Sequence, residues 1–423
     1  MMLFNNFLWQ RGAGLVAAAI LCVGCGGGGG PTSTAGTSAS SSAGGGALPT
    51  ASASNVVAIT VDSGPQGTGY NANRLYTNVT ICQPGSTALC QTLDHVLVDT
   101  GSVGLRVLAS ELAPHLNLAA QTSASGFPLL NCAQFVDNTF AWGPVVTADV
   151  ALGAKRASTV PIQVIADPAY SRLGAACSTT GTALTSAAVL GAKGILGVGL
   201  FLQDCGQRCT TTVANGYYYT CTNAACTATA RTTATTARQI KNPVPLFASD
   251  NNGVLIDLPA VSNSGAMSVS GTMIFGIGTQ SNNLVTSASV LTTSSSGTIT
   301  TIFSGRQLTD SFLDTGSNGL YFDSSTIPGC SGNASGFYCP SSFTTLTATM
   351  VGANGVSTPV TFSIDNALTL FAGASNIVLP TLSGSIGNAR TFDWGLPFFL
   401  GRRVAFGIEG QTSGLGTGPY YAF

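Results

Sequence analysis

His95-Val96-Leu97-Val98-Asp99-Thr100-Gly101-Ser102-Val103-Gly104-Leu105 is echoed 215 positions later by Asp310-Ser311-Phe312-Leu313-Asp314-Thr315-Gly316-Ser317-Asn318-Gly319-Leu320. In both copies an apolar run leads into Asp-Thr-Gly-Ser, and a Gly-Leu pair follows. A lone Asp-Thr-Gly is expected by chance roughly 0.2 times in a chain of this length and composition. Two copies with matching flanks are therefore an internal repeat. The repeat also reaches beyond the loops: Ile195-Leu196-Gly197 ends 98 residues after Asp99, and Phe399-Leu400-Gly401 ends 87 residues after Asp314. A unit of that length is a lobe, so the chain is expected to fold as two related halves.

The motif has a physical reading of its own. A carboxylate that must act as both base and acid belongs at a strand end where the backbone turns sharply and aims donors at its oxygens. Glycine permits the turn and the close approach of a second backbone. Threonine can bond across to an opposing loop, and serine can bond the outer carboxylate oxygen. Two such loops face to face put two Asp side chains where both cannot easily ionise, so the pair shares a proton. One carboxyl can then take a proton from a water while the other donates to a carbonyl oxygen. The expected chemistry is amide hydrolysis without a covalent intermediate.

Composition is consistent with a strand-rich fold. The chain has 423 residues, 44% hydrophobic and only 7% charged, with 53 Gly, two His and a net charge of -1. Disorder throughout is excluded, and nucleic acid is not expected as a partner because phosphate recognition needs clustered Lys and Arg. Short runs rich in Val, Ile, Thr and Phe, divided by Gly, Asn, Ser and Pro, predict strands at Val56–Val61, Leu75–Cys82, His95–Val98, Val145–Leu152, Val160–Ala166, Met273–Ile277, Ser311–Leu313, Thr344–Val351, Val360–Ile364, Ile377–Leu379 and Val404–Ile408. Short helices are predicted at Ala109–Leu118 and Pro245–Asp250.

The paired Asp-Thr-Gly-Ser loops and the two later apolar-apolar-Gly segments resemble the bilobal pepsin-like aspartic peptidases, over Ser54 to Phe423. The resemblance implies an all-β, pepsin-like double β-barrel with pseudo-twofold symmetry and few short helices, its lobes at residues 55–265 and 266–423. Asp99 and Asp314 would be the catalytic pair. Thr100 and Thr315 would interlock at the lobe interface, Gly101 and Gly316 would form the tight turns, and Ser102 and Ser317 would bond the outer oxygens. Ile195-Leu196-Gly197 and Phe399-Leu400-Gly401 would cross behind the two loops. The implied activity is that of an aspartic endopeptidase, acting as a monomer on a peptide or protein held extended between the lobes, without metal or organic cofactor. The alternative is a catalytically silent relative that binds peptide, glycan or a partner protein in the same cleft.

Two departures from the family pattern bear on that choice. The family covers its acids with a hairpin carrying a Tyr, whereas Phe135–Asp149 contains none, leaving Trp142 or Phe140 to fill the space. Seven residues after the first Asp, where many members have Trp, stands Arg106, a cation that would favour ionised carboxylates if it points inward.

The N-terminus reads as an export signal. Arg11 precedes an apolar run from Gly12 to Val23, too short to span a bilayer, and Val23-Gly24-Cys25 resembles the lipobox of a bacterial lipoprotein. Residues 1–25 are expected to be the signal, with Cys25 lipidated and the protein held at the outer membrane by that anchor alone. Ordinary signal cleavage is the alternative, since Cys22 replaces the usual Leu. Residues 26–54 are Gly, Ser, Thr, Ala and Pro-rich, a flexible tether, and no propeptide or autocatalytic activation is expected.

Ten further cysteines in an exported chain read as disulfides, with Cys82/Cys90 and Cys330/Cys339 the nearest pairs. The rival reading places zinc at Cys205, Cys209, Cys221 and Cys226, but their spacing fits a zinc knuckle poorly. Asn215-Gly216 before Tyr217-Tyr218-Tyr219 reads as a hairpin turn. The tyrosines suit either a gripping surface or an alternating strand. Asp62-Ser63-Gly64 lies too close to Asp99 to head a lobe and reads as a turn; His95 and His115 read as structural; Arg402-Arg403 reads as solvated or salt-bridged. No Gly-x-Ser-x-Gly occurs, which leaves a nucleophile-elbow serine hydrolase without support.

Overall fold

The computed structural model describes residues 53–178, 181–213, 217–286, 288–373 and 375–423. The signal, Cys25, the tether up to residue 52 and the Asn215-Gly216 turn lie outside the described residues.

Each half is organised around the strand that carries its Asp. In the first, Cys90–Asp99 pairs antiparallel with Leu75–Cys82 and parallel with Gly194–Val198, aligning Asp99 with Gly197. Gly194–Val198 in turn pairs antiparallel with Val103–Leu108, the strand that leaves the loop. The second half repeats this: Arg306–Leu313 pairs antiparallel with Ile299–Phe303 and parallel with Phe392–Trp394, which pairs antiparallel with Leu320–Phe322. A 16-stranded sheet runs on from the first half through Val56–Val61, Val269–Phe275, Gly253–Leu258, Arg402–Gly407 and Tyr420–Ala422, and a 7-stranded sheet completes the second. The chain is all-β.

Alternation explains how a chain with so little charge folds this way. In Ser357–Ile364 the side chains of Val360, Phe362 and Ile364 turn inward while Ser357, Thr361 and Ser363 take the other face. Exposed faces carry cross-strand hydroxyl pairs, such as Thr80 with Thr92 at 2.7 Å and Thr345 with Ser363 at 3.2 Å. Behind the second loop the core is aromatic: Phe392 stacks on Trp394 at 3.9 Å and on Phe322 at 4.6 Å.

Several expectations are corrected. Ala109–Leu118 yields only a 3-10 turn, Ala109–Glu111, because Pro114 removes a donor and disfavours helical geometry in Ala113 before it. Pro245–Asp250 likewise reduces to Val244–Leu246, and Asp250 takes a left-handed φ of 56°. Ile377–Leu379 makes one isolated bridge, Val378 to Ala266. Leu129–Gln134, Gly253–Leu258 and Ile299–Phe303 are strands beyond those the sequence pattern predicts, and Tyr218–Cys221 is the strand reading of the tyrosine run.

Cys82–Cys90, Cys132–Cys177, Cys205–Cys209, Cys221–Cys226 and Cys330–Cys339 are disulfides, which removes the zinc reading. Tyr218–Cys221 pairs with Thr229–Arg231 and with Leu129–Gln134. Its hairpin partner therefore lies after it, and the stretch before residue 215 is a helical turn, Arg208–Thr211. Tyr217, Tyr218 and Tyr219 are all buried, so they are core and not a gripping surface.

Candidate active site

Asp99 ends one strand and Asp314 follows the end of the other, and the two loops meet through their threonines. Thr100 N–H donates to Thr315 Oγ1 at 3.1 Å, and Thr315 N–H donates to Thr100 Oγ1 at 2.9 Å. Each hydroxyl passes its own hydrogen to the opposite strand, Thr315 Oγ1 to Val98 O at 2.7 Å and Thr100 Oγ1 to Leu313 O at 3.4 Å. Both threonines are buried. Four reciprocal bonds across the pseudo-twofold axis hold the loops in register.

The glycines are required by proximity, not by φ. A Cβ on Gly101 would lie 2.6 Å from Asp314 Cγ, and one on Gly316 would lie 2.8 Å from Asp99 Oδ1. With no side chain in the way, the Gly101 N–H donates to Asp99 Oδ1 at 2.9 Å and to Asp314 Oδ1 at 3.1 Å. A single amide thus bridges the two carboxyls. Gly316 N–H adds a bond to Asp314 Oδ1 at 2.7 Å, and Ser102 N–H one to Asp99 Oδ1 at 3.1 Å. The outer oxygens take the serines: Ser102 Oγ bonds Asp99 Oδ2, and Ser317 Oγ bonds Asp314 Oδ2 at 2.9 Å. Burial, and after it the charges of Asp99 and Asp393, raise Asp314 well above the usual carboxylate range.

The pair opens onto a cavity of about 430 Å³. Leu97, Leu190, Ile195, Phe201 and Phe312 supply apolar wall, Arg74 a cation, and the hairpin tip Phe135-Val136-Asp137 a cover. Tyr321, seven residues after Asp314, also borders the cavity and bonds Asn318 Oδ1. Neither Trp142 nor Phe140 fills the cover. Both face away into the cluster around the Cys132–Cys177 bridge, where Trp142 donates to Tyr170 O at 2.7 Å and meets Tyr219 edge-on at 5.1 Å.

Arg106 does not point at the acids. It is 1% exposed, donates to Val103 O at 2.6 Å and pairs with Asp204 at 3.2 Å, and Asp204 also accepts from Asn131 and Tyr218. Ile195-Leu196-Gly197 runs parallel to the strand that ends in Asp99, with Gly197 against Ser102 and Val103. Phe399-Leu400-Gly401 does not do so in the second half. The strand there is Phe392–Trp394, followed by Gly395, whose missing Cβ would lie 2.1 Å from Gly319 O. Phe399 ends a short helix, Leu396–Phe399, and Leu400 and Gly401 reach Leu258 instead. The apolar-apolar-Gly pattern matched the wrong segment because the true one carries Asp393 among its apolar residues. That residue, 1% exposed and in the cavity wall, was missed altogether.

Asp62 makes a turn, accepting from Gly64 N at 2.8 Å, and stands 3.4 Å from His95 Nε2. His115 lies exposed in a turn. Arg402 covers the Phe398 ring at 4.7 Å, and Arg403 reaches Asp257 at 3.6 Å. Among the described residues no group of three or more His, Cys, Asp or Glu is placed to hold a metal ion, and no helix is long and apolar enough to cross a membrane.

The fold and this loop pair define an all-β protein in which two similarly built halves each bring one Asp-Thr-Gly-Ser loop to a shared centre. The chain belongs to the family described as "Protein of unknown function (DUF3443)", which matches residues 51–423. No curated protein matches it. Among solved structures it is similar to an aspartic proteinase from Irpex lacteus, at 13% identity over 87% of this chain and 96% of that one, with a TM-score of 0.46.

Proposed function

We propose that this chain is an aspartic endopeptidase in which Asp99 and Asp314 jointly activate a water against the carbonyl of a bound peptide. The observation that carries this reading is the Gly101 N–H shared by both carboxyls at 2.9 and 3.1 Å. Such contact leaves the pair holding one proton between them, preferentially on Asp314, which burial pushes upward. The pair removes a proton from the water as its oxygen attacks the carbonyl carbon, and gives its own proton to the carbonyl oxygen. On collapse of the gem-diol intermediate the pair gives a proton to the leaving nitrogen and takes one from a diol hydroxyl, so water and amide become acid and amine and the pair regains its single proton. The apolar cavity wall suits hydrophobic side chains of an extended substrate, and the Phe135–Asp137 tip would close over it.

The test is digestion of a peptide library from pH 3 to pH 8 by the wild type and by Asp99→Asn and Asp314→Asn variants. Cleavage by the wild type alone supports the proposal. Equal cleavage by the variants overturns it, and binding of peptides without cleavage by any form would make the cleft a silent binding site.

We also read the protein as an exported monomer anchored through lipidated Cys25 at the outer membrane. Support comes from the Val23-Gly24-Cys25 sequence and from five disulfides, which belong to an oxidising compartment. Metabolic labelling with a palmitate analogue, lost in Cys25→Ala, checks it; label retained in that variant would refute it.

A further inference from the structure

A third carboxyl stands in the wall behind Asp314. Asp393 aligns with Phe312, two residues before Asp314, just as Ile195 aligns with Leu97, two residues before Asp99. Ile195 is 3% exposed and Asp393 1%. An apolar side chain at this place serves the fold in the first half, and burying a carboxyl carries a desolvation cost. Packing therefore does not account for the acid.

Its contacts do. Asp393 Oδ2 lies 2.6 Å from Ser317 Oγ, and the same Oγ lies 2.9 Å from Asp314 Oδ2. A serine has one hydrogen and cannot donate to both. Asp393 Oδ1 has no partner, and the side chain borders the cavity. In the first half Ser102 Oγ bonds Asp99 Oδ2, and among the described residues no second carboxyl is hydrogen-bonded to it.

We propose that Asp393 is a positioning residue of the site, acting through Ser317: its carboxyl O–H donates to Ser317 Oγ, which commits the serine's only hydrogen to Asp314 Oδ2 and makes the pair of acids a chain of three. The proposal rests on the peptidase reading for its effect on turnover, but the coupling itself does not need turnover to be seen. Burial raises Asp393 to about 8, so its O–H persists through acid and neutral pH. The groups that face it are Asp314 across Ser317, Asp99, Tyr321 on the neighbouring strand and Tyr421. Arg74 borders the same cavity. When Asp393 ionises, Ser317 turns to it, and Asp314 loses a donor and faces another negative charge. The three acids then lose their protons as a coupled unit.

Two variants and two readouts test this. Asp393→Asn keeps a donor for Ser317 and cannot ionise; Asp393→Leu restores the apolar character of Ile195 and has no donor. The readouts are the pH profile of kcat/KM on a cleaved peptide and the carboxyl titration of Asp314 by ¹³C NMR. In the Asn variant the alkaline limb should become a one-proton limb and move down by about one pH unit, as expected for losing a nearby negative charge. The Leu variant leaves Ser317 to donate to Asp314 as Ser102 does to Asp99 beside Ile195, and its alkaline limb should move down in the same way. Asp314 should titrate lower by the same unit in the Asn variant. An unchanged alkaline limb and an unchanged Asp314 midpoint in that variant overturn the proposal. If the wild type cuts no peptide, the peptidase reading fails while the Asp314 midpoint still decides the coupling: a fall sustains it, and no change removes it.

Discussion

Replacing Asp393 by Asn should stabilise the protein at neutral pH and leave it nearly unchanged at pH 4. The ordinary value for this carboxyl is 3.8, and burial raises it to about 8 in the folded chain. Between those limits the folded state binds a proton that the unfolded state has released, so stability falls as pH rises through that window. Each pH unit within it costs about 1.4 kcal/mol, which places the penalty of Asp393 at roughly 4 kcal/mol at pH 7. Asn is nearly the shape of the protonated acid, keeps a hydrogen for Ser317 and does not titrate, so it escapes this cost. The assay is urea unfolding of both proteins, disulfides intact, in steps from pH 4 to pH 9. Subtracting one curve from the other cancels every titrating group that does not touch Asp393. The difference should be near zero at pH 4, grow steadily to pH 7 and level off above pH 8. A flat difference across the whole range, or an Asn variant weaker than wild type at pH 7, would refute the reasoning.

Gly101→Ala places a methyl group 2.6 Å from Asp314 Cγ and must push the carboxyl aside. Peptide cleavage should fall by at least about a hundredfold, with a loss of about 1–3 kcal/mol in urea unfolding; wild-type activity in this variant would show that the carboxyls need not be adjacent. Arg106→Leu removes the cation from a buried ion pair with Asp204 and should cost about 3–5 kcal/mol. It should also leave the alkaline limb of the pH profile in place, since its guanidinium is turned towards Asp204; a displaced limb would mean that Arg106 acts on the acids after all.

The loop pair was legible because its chemistry is local. Asp-Thr-Gly-Ser folds its own N–H groups back onto its own carboxylate, as Gly316 N–H and Ser317 Oγ do with Asp314, so three or four consecutive residues reveal the turn. Many strands were legible for the same reason, since inward and outward residues alternate within each run. Orientation was not. Arg106 and Trp142 occupy positions in sequence that suit the cleft, yet packing turns Arg106 to Asp204 and Trp142 to Tyr219. The Cys132–Cys177 bridge joins residues 45 apart whose meeting depends on where Leu129–Gln134 lies.

Covalent neighbours alone announced two related halves, the strand-rich fold and the two acids at its centre, because those features are written into short stretches that carry their own hydrogen-bonding partners. Which strand backs the second loop was settled only by pairing between Phe312 and Asp393, 81 residues apart. Two nearby segments offered apolar residues and a glycine, and register across a sheet is chosen by burial over the whole structure. That same choice brought Asp393 behind Ser317, turning an apparently unremarkable acid into the third member of a buried carboxyl chain.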